Sequence, residues 1–262
     1  MADQFETDLL QIDSAQISAV GARASNQDAL TCCKQDELVC FVMADGAGGH
    51  EGGEIASRLV IHAIAEKFMQ EGSFSPRALR SYIEWAVIKV AIGKRTHPKQ
   101  QSMSATMASL LIDQRNRSAL WGHLGDTRIY MFRAGKVFCI SKDHSLAQRF
   151  VDAGYGDYAN IRQHPQRSVL FAAIGAEGDT FPDITQEPVN VLDGDAFLLC
   201  TDGFWEWVLE ADMENTLAQA QNCNEWLAMM NRIAERNVSA SGKGRDNFSA
   251  FAIWLREPIA VR

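Results

Sequence analysis

Two consecutive helical segments lie between two runs of short strand-like segments, and this order limits the fold more than any other feature of the chain. Apolar residues recur at helical spacing over residues 54–70 and again over residues 76–92. Ser75 and Pro76 mark the start of the second helix, because serine caps helix N-termini and proline is favoured at the first helical position. Each helix must bury its apolar stripe, and a β-sheet offers the surface on which to do so.

Strand-like segments occur on both sides of this helix pair. They are short and rich in β-branched, aromatic and other apolar residues, and they cover residues 15–20, 29–33, 38–44, 104–112, 118–124, 128–133, 136–140, 195–200 and 247–255. Further helices are predicted at residues 145–153, 211–220 and 224–237. The order differs from the strict alternation of a doubly wound fold. It predicts a layered α+β fold in which helices cover antiparallel sheets.

The chain is predicted to be one domain, residues 1–262. It contains no internal repeat and no linker rich in proline, glycine or serine, and 47% of its residues are hydrophobic, enough for a sizeable core. Residues 154–190 are irregular and contain several glycines and prolines. We therefore expect a flap-like insertion at about residues 144–190.

Charge and cysteine usage argue against several classes of protein. The formal net charge of −8 disfavours nucleic acid as a partner, since phosphate backbones attract basic surfaces. Six cysteines without CxxC spacing disfavour structural zinc and a disulfide framework. The N-terminal segment lacks the pattern of a signal peptide, and no apolar run approaches the ~20 residues that span a bilayer. These features predict a cytoplasmic protein with neither a membrane nor a nucleic acid as partner.

Three aspartates lie at the ends of predicted strands. Asp45 follows an apolar run and precedes Gly46, Asp202 follows another and precedes Gly203, and Asp246 comes just before the last strand. A carboxylate in such a position is held rigidly while its head faces solvent. Converging carboxylates repel each other, and Mg²⁺ or Mn²⁺ relieves that repulsion because hard cations prefer oxygen ligands. Each aspartate taken alone is equally typical of an ordinary turn.

The glycine-rich stretch at residues 46–53 permits two other interpretations. It resembles a phosphate-binding loop, but no GK[ST] sequence follows, so a nucleotide P-loop is disfavoured. His50, Glu51 and Glu54 imitate part of a zinc-binding helix, but the second histidine is absent. We expect Gly52 and Gly53 to form a turn rather than a helix.

Seven short motifs extend this pattern over nearly the whole chain. In order, the chain carries GARASNQDA, VMADGAGGHEGGEIAS, MSAT, GHLGDTRIYMFRAGKV, SKDHS, LLCTDGFWEWV and GRDNFSAFAIWL. Between about Gly21 and Leu255, these motifs resemble those of the type 2C metal-dependent serine/threonine protein phosphatases, the PPM family, and especially its compact bacterial members. The resemblance implies a four-layer αββα sandwich. Two antiparallel sheets would be flanked by helix pairs, with metal ions in a cleft between the sheets.

The resemblance also assigns metal ligands. It implies that Asp45 bridges two ions, Mn²⁺ or Mg²⁺, and that the carbonyl group of Gly46 binds one of them. Asp202 and Asp246 would complete the ligands of the other ion. Asp28 would support the site through metal-bound water.

Two more residues follow from the same resemblance. Asp126 corresponds to a position that binds a third metal together with Asp202 in bacterial members. Arg23 lies five residues before Asp28, where the family keeps an arginine on the substrate phosphate, a task that suits a planar guanidinium. Arg23 and Asp28 are therefore the predicted catalytic residues beside the metal ligands.

The implied reaction is hydrolysis of phosphoserine and phosphothreonine on proteins. A hydroxide that bridges the two ions would attack phosphorus, and the enzyme would reverse the signalling of a serine/threonine kinase. We expect a monomer. Two alternatives stay open at this point, namely a non-catalytic regulatory module of the same fold and a phosphatase for a small phosphorylated metabolite.

The chain departs from the family pattern at two positions. The family usually has glutamate before the Asp28 position, whereas Gln27 stands here and lowers the local negative charge by one. Some members, chiefly eukaryotic, have a histidine after the Asp-Gly of the second motif, a proposed general acid, whereas Ala47 stands here. The first departure bears on metal affinity and the second on the source of a proton.

Overall fold

Two antiparallel β-sheets form the centre of the molecule. The computed structural model describes residues 9–47, 52–96, 101–177 and 181–257. The strands are β1 (Gln11–Ala19), β2 (Asp28–Gln35), β3 (Leu38–Ala47), β4 (Ser104–Ala105), β5 (Met107–Asp113), β6 (Ser118–Leu124), β7 (Arg128–Arg133), β8 (Lys136–Ile140), β9 (Asp183–Ile184), β10 (Val189–Asn190), β11 (Ala196–Cys200) and β12 (Phe248–Arg256). One sheet has the order β1-β12-β11-β7-β8 and the other has the order β10-β6-β5-β3-β2, with β4 added to β3 and β9 to β6.

Helices follow the strands in two groups. They are α1 (Gly52–Glu71), α2 (Pro76–Thr96), α3 (Leu146–Asp152), α4 (Asp202–Trp205), α5 (Glu210–Gln219) and α6 (Cys223–Ser241), and a 3-10 helix covers Tyr158–Gln163. The side chain of Ser75 accepts a hydrogen bond from the Ala78 N–H at 3.0 Å, so the predicted cap of α2 is present. None of the described helices is both long and apolar enough to cross a membrane.

Alternating side chains of the strands separate the core into three layers. In β3, Phe41 points between the two sheets and meets Phe251 of the other sheet edge-on, with ring centroids 5.3 Å apart. Its neighbour Val42 points the opposite way, into the layer shared with α1 and α2. On the far side, Trp226 of α6 packs on Phe132 of the first sheet at 5.2 Å. The predicted αββα sandwich is thus confirmed.

The predicted strand at 104–112 is divided into β4 and β5. The division falls at Thr106, whose N–H donates to the Asp45 carbonyl oxygen at 2.8 Å and whose hydroxyl lies 2.6 Å from that of Thr127. Strand β4 pairs with the last residues of β3, and β5 pairs with its first six residues, from Leu38 to Met43. The irregularity therefore lies beside Asp45.

The prediction of a turn at Gly52 and Gly53 is wrong, because α1 begins at Gly52. A Cβ on Gly46 would lie 2.0 Å from the Gly53 carbonyl oxygen, and a Cβ on Gly53 would lie 2.8 Å from the Gly46 carbonyl oxygen. Gly46 and Gly53 thus allow β3 to approach the first turn of α1 closely. This packing requirement outweighs the low helix propensity of glycine. Residues 48–51, with His50 and Glu51, lie outside the described residues.

The segment predicted as a flap contains α3, the 3-10 helix and β9. Strand β9 pairs with β6, with Ile184 opposite Gly122. Arg162 of the 3-10 helix donates to the carbonyl oxygens of Trp205 and Val208 at 3.1 and 3.0 Å. The segment is thereby attached both to the edge of one sheet and to the turn that follows α4.

Candidate functional site

The hairpin of β2 and β3 places two predicted site residues opposite each other. Asp28 begins β2, and the register pairs it directly with Asp45 near the end of β3. Burial raises the pKa of Asp28 to about 6. The pKa of Asp45 is raised well above its usual range, mainly by burial and next by repulsion from Asp28. Two carboxylates are thus held together at one end of the second sheet.

The first sheet supplies two more carboxylates. Strands β11 and β12 are neighbours. Asp202 begins α4 two residues after the end of β11, and Asp246 lies two residues before β12. Burial, followed by repulsion from Asp246, raises the pKa of Asp202 to about 7. A Cβ on Gly203 would lie 2.0 Å from the Asn247 carbonyl oxygen, so only glycine lets α4 start against the segment that carries Asp246.

Thr201 joins the two pairs of aspartates across the sheets. Its hydroxyl donates to Oδ2 of Asp28 at 3.0 Å and accepts from the Ser249 N–H at 2.9 Å. The other oxygen of Asp28, Oδ1, is buried and has no hydrogen-bond donor among the described residues. The carboxylate of Asp28 is therefore fixed in direction, with one oxygen left to bind something else.

Asp126 lies in the turn between β6 and β7 and is only 5% exposed. Burial, followed by repulsion from Asp202, raises its pKa well above the usual range. The Trp205 indole N–H donates to the backbone oxygen of Asp126 at 2.9 Å. Behind the indole, the guanidinium of Arg128 stacks at 3.5 Å and donates to both carboxylate oxygens of Asp143 at 2.8 and 2.7 Å. A buried ion pair thus supports the turn that carries Asp126.

Arg23 lies at the mouth of the site, on the loop before β2. Its Nη2 donates to Oδ2 of Asp246 at 2.5 Å, and this hydrogen bond raises the pKa of the guanidinium. The side chain is 63% exposed. Within the described parts of the chain, Nη2 is the only atom of this side chain that forms a hydrogen bond, so its remaining N–H groups are free to meet a ligand.

Asn247 holds this loop and is a functional residue that the sequence analysis missed. Its amide donates to the carbonyl oxygens of Val20 and Ser25 at 2.7 and 2.9 Å, and its Oδ1 accepts from the Gln27 N–H at 2.9 Å. It lies inside the motif GRDNFSAFAIWL, directly after Asp246. The position of Asn247 next to a predicted metal ligand could have identified it, because its amide can both donate and accept hydrogen bonds.

These elements enclose a cleft of about 340 Å³, lined by Arg23, Ala24, Ser25, Gln27, Asp45, Gly46, Ala47, Asp246 and Asn247. Four of the predicted site residues, Arg23, Asp45, Gly46 and Asp246, are therefore together on its wall. The other three are aspartates that do not line this cleft. They are still close enough to affect its chemistry, since Asp28, Asp202 and Asp126 all raise the pKa of Asp45 by repulsion.

The donor set fits hard divalent cations. Five mutually repelling carboxylates gain from positive charge between them, and the buried Oδ1 of Asp28 would gain a partner. Mg²⁺ and Mn²⁺ accept oxygen ligands, and Mg²⁺ keeps several waters in its shell. Among the described residues, no three of these aspartates have ligand atoms within 4.8 Å of one another.

Within the described parts of the chain, His123, His144 and Asp183 do have potential ligand atoms within 4.8 Å of one another. Hydrogen bonds argue against a metal there. Nδ1 of His144 accepts from the Gly125 N–H at 3.0 Å, so the proton of the neutral ring is on Nε2, which faces Asp183 at 3.2 Å. Nε2 of His123 must likewise carry a proton, because it lies 2.7 Å from the Lys142 carbonyl oxygen. Nε2 of His144, the nitrogen that faces Asp183, is therefore a donor and not a metal ligand.

Comparisons with known proteins agree with this geometry. The sequence pattern of the family described as "Protein phosphatase 2C" matches residues 16–241. The serine/threonine protein phosphatase PstP of Mycobacterium tuberculosis is 30% identical over 226 residues, which is 86% of this chain and 41% of that protein. This chain thus spans about two fifths of that curated relative.

Solved structures show the same fold. The crystal structure of the M. tuberculosis serine/threonine phosphatase PstP/Ppp superposes with a TM-score of 0.80 at 28% identity, covering 95% of this chain and 100% of that one. A structure of the PstP catalytic domain in complex with two manganese ions superposes with a TM-score of 0.79 at 25% identity, covering 94% and 99%. With the family pattern matching most of its length, the chain belongs to the protein phosphatase 2C family.

Proposed function

We propose that this chain is a metal-dependent phosphatase that hydrolyses phosphoserine and phosphothreonine on proteins. The observation that carries the proposal is the convergence of five aspartates behind a cleft whose mouth holds Arg23. Carboxylates suit divalent cations, and a guanidinium suits a phosphate. The names of the relatives support the same reaction, since PstP is a serine/threonine protein phosphatase and one PstP structure holds two manganese ions.

The chain's own groups would divide the work of holding cations. Asp45 would be shared between two ions, the carbonyl oxygen of Gly46 would bind one, and Asp202 and Asp246 would bind the other. Asp28 would orient water at the site, because Thr201 fixes one of its oxygens and leaves the other without a donor. Two Mn²⁺ or Mg²⁺ ions, when bound, would supply water of lowered pKa as the nucleophile and positive charge beside the phosphate.

Arg23 would orient the substrate. One of its nitrogens is held by Asp246, so the guanidinium is positioned before a phosphate arrives. Its remaining N–H groups can then donate to phosphate oxygens and favour the geometry of attack. Exposure of Arg23 and Ala47 at the cleft leaves room for a residue that belongs to a protein chain.

The leaving serine or threonine oxygen needs a proton. Ala47 cannot supply one, although some family members have histidine at this position. We propose that Asp126 is required for delivering this proton and that Asp126 and Asp202 together hold a third cation. The buried setting of Asp126 and the raised pKa of its carboxyl group agree with a position that gains positive charge.

The wider setting belongs to the same proposal. The substrates would be products of a serine/threonine kinase, and the enzyme would act as a monomer. Residues 1–262 would form one catalytic domain, with the segment at about 144–190 as a flap beside the cleft.

Phosphopeptide hydrolysis tests the proposal. Peptides that carry phosphoserine, phosphothreonine or phosphotyrosine should be assayed with the chelated protein and again after addition of Mn²⁺ or Mg²⁺. We expect turnover of the first two peptides only with metal. Full activity in excess chelator, with no metal bound to the protein, would contradict the mechanism. Turnover of small phosphorylated metabolites alone would favour the metabolite phosphatase, and no turnover of any phosphoester would favour a regulatory module.

A further inference from the structure

A second cavity, of about 310 Å³, adjoins the proposed catalytic cleft at Arg23. Its charged lining residues are Arg23, Arg167, Glu206, Lys243, Arg245 and Asp246. Arg23 and Asp246 belong to both walls, so the two cavities are neighbours that share this ion pair. The lining holds four cationic side chains and two carboxylates, although the chain as a whole has a net charge of −8.

Arg245 gives this cavity a buried cation that forms no close ion pair among the described residues; burial lowers its pKa to about 10, and the charge of Glu235 opposes this shift only in part. The residue is 6% exposed, and its guanidinium stacks at 3.3 Å on the ring of Phe248. Two of its nitrogens donate to neutral oxygens, of Gly203 at 3.0 Å and of Asn231 at 2.8 Å. The third nitrogen, Nη2, is buried with no partner, and no carboxylate in the described parts of the chain forms an ion pair with this side chain. A buried, unpaired charge is costly unless an anion joins it.

Arg167 and Lys243 add positive charge on the cavity wall. Arg167 forms an ion pair with Glu206, but its Nε atom is buried and has no hydrogen-bond partner among the described residues. Lys243 is exposed and directly follows the C-cap of α6, Gly242, which has a φ of 67°. No ion pair of Lys243 occurs within the described ranges. An anion in the cavity would therefore meet donors from three separate segments.

We propose that this cavity binds a second oxyanion of the substrate, the side chain of an acidic or phosphorylated residue close in sequence to the scissile phosphoresidue. The inference rests on the proposed function, because the phosphoresidue in the cleft brings its neighbours to the cavity. Arg23 stands between the two anions and contacts the first. The enzyme would then prefer phosphosites with acidic or multiply phosphorylated surroundings.

Three phosphothreonine peptides test this preference. They share one sequence except that the flanking positions carry alanine, glutamate or a second phosphoserine. We expect kcat/KM for the two anionic peptides to exceed that of the alanine peptide about tenfold, mainly through a lower KM, as charge-assisted hydrogen bonds imply. The preference should decline with added salt. The glutamate and phosphoserine arms show whether a carboxylate or a phosphate is the better ligand.

Lys243→Glu is the diagnostic variant, because it reverses charge at an exposed position without disturbing the core. Lys34→Glu makes the same charge change on β2, six residues and ~20 Å along the strand from Asp28. We expect Lys243→Glu to abolish the preference and Lys34→Glu to retain it. Equal kcat/KM for the three peptides with the wild-type protein, or an unchanged preference in Lys243→Glu, would overturn the inference.

These measurements separate failure of the proposed phosphatase function from failure of the anion-site inference. If none of the peptides is hydrolysed, the phosphatase proposal fails, and calorimetric titration of the doubly phosphorylated peptide then tests the cavity by itself. Binding that is about tenfold weaker in Lys243→Glu than in Lys34→Glu would support the anion site. Equal binding by the two variants would overturn it.

Discussion

Arg23 and Asp246 form an ion pair at the mouth of the cleft, with Nη2 of the arginine 2.5 Å from Oδ2 of the aspartate. The two residues are 223 positions apart in the chain. Their side chains are 63% and 38% exposed, and such surface pairs contribute only about 0–1 kcal/mol to stability. The ion pair therefore contributes little to stability. Its main effect is to position Arg23, which is predicted to bind the substrate phosphate, beside Asp246, which is predicted to bind a metal ion.

Replacement of Arg23 tests whether this residue binds the substrate phosphate or instead supports the metal site. We expect Arg23→Ala to lower kcat/KM for phosphopeptides about 10- to 100-fold, because charge-assisted contacts to the phosphate are lost. Arg23→Lys should recover only part of this loss, since an ammonium group lacks the planar fork of donors. Steady-state kinetics at saturating Mn²⁺ measures both variants.

Calorimetry supplies the control for Arg23. Mn²⁺ should bind Arg23→Ala at least as tightly as the wild-type protein, because the guanidinium no longer competes for Asp246. Loss of metal binding in Arg23→Ala would show instead that the arginine has a structural role.

The core aspartates should be essential for activity and dispensable for folding. Asp45→Asn, Asp202→Asn and Asp246→Asn should each reduce kcat/KM at least ~10²-fold, since both the nucleophile and the phosphate depend on the cations. In the metal-free protein, each change should raise Tm or leave it unchanged, because carboxylate repulsion is relieved.

Thermal unfolding with and without Mn²⁺ provides a readout independent of turnover. Mn²⁺ at 100 times its Kd should stabilise the wild-type protein by about 2.7 kcal/mol and the variants by less. Near-normal rates in two of the three variants would mean that the metal site lies elsewhere.

Asp126 should matter most for poor leaving groups. An aryl phosphate expels a stable phenolate, whereas a serine phosphate expels an alkoxide that needs a proton. We expect Asp126→Ala to reduce phosphopeptide hydrolysis at least tenfold more than aryl phosphate hydrolysis, since general acid catalysis typically contributes ~10²–10⁴-fold. Both substrates are to be assayed at saturating metal. Equal losses would assign Asp126 a general role in metal binding.

The Arg128–Asp143 ion pair should be important for stability. Its side chains are 1% and 2% exposed, so removing one partner leaves a buried charge. We expect Asp143→Asn to lower the free energy of unfolding by about 3–5 kcal/mol. The double variant Arg128→Met with Asp143→Leu should lower the free energy of unfolding by less than the sum of the decreases caused by the two single changes.

Urea unfolding measures these differences. The matched control is Asp152→Asn, which breaks the pair between Lys142 and Asp152, whose side chains are 70% and 47% exposed; we expect the free energy of unfolding to fall by only about 0–1 kcal/mol. A small effect of Asp143→Asn would show that the turn carrying Asp126 does not depend on this pair.

The sequence by itself determined five of the six α-helices in the described residues, most strands and the candidate metal-binding carboxylates, but neither the short helix α4 nor the 3-10 helix. Asp45 and Asp202 could be singled out because each ends an apolar run and precedes glycine, which is a local pattern. The pair of helices between strand runs predicted the layered fold for the same reason, since hydrophobic periodicity is read from neighbouring residues. The family resemblance then added the roles of Arg23 and Asp126.

Only the tertiary structure decided which residues meet. The first turn of α1 lies against the end of β3, where Gly46 and Gly53 meet, and Thr106 divides a strand because its N–H binds the Asp45 carbonyl oxygen. Arg245 becomes an unpaired buried cation only when α4 and β12 enclose it. Such contacts depend on strand register and packing between segments far apart in the chain, and no local pattern of residues encodes them.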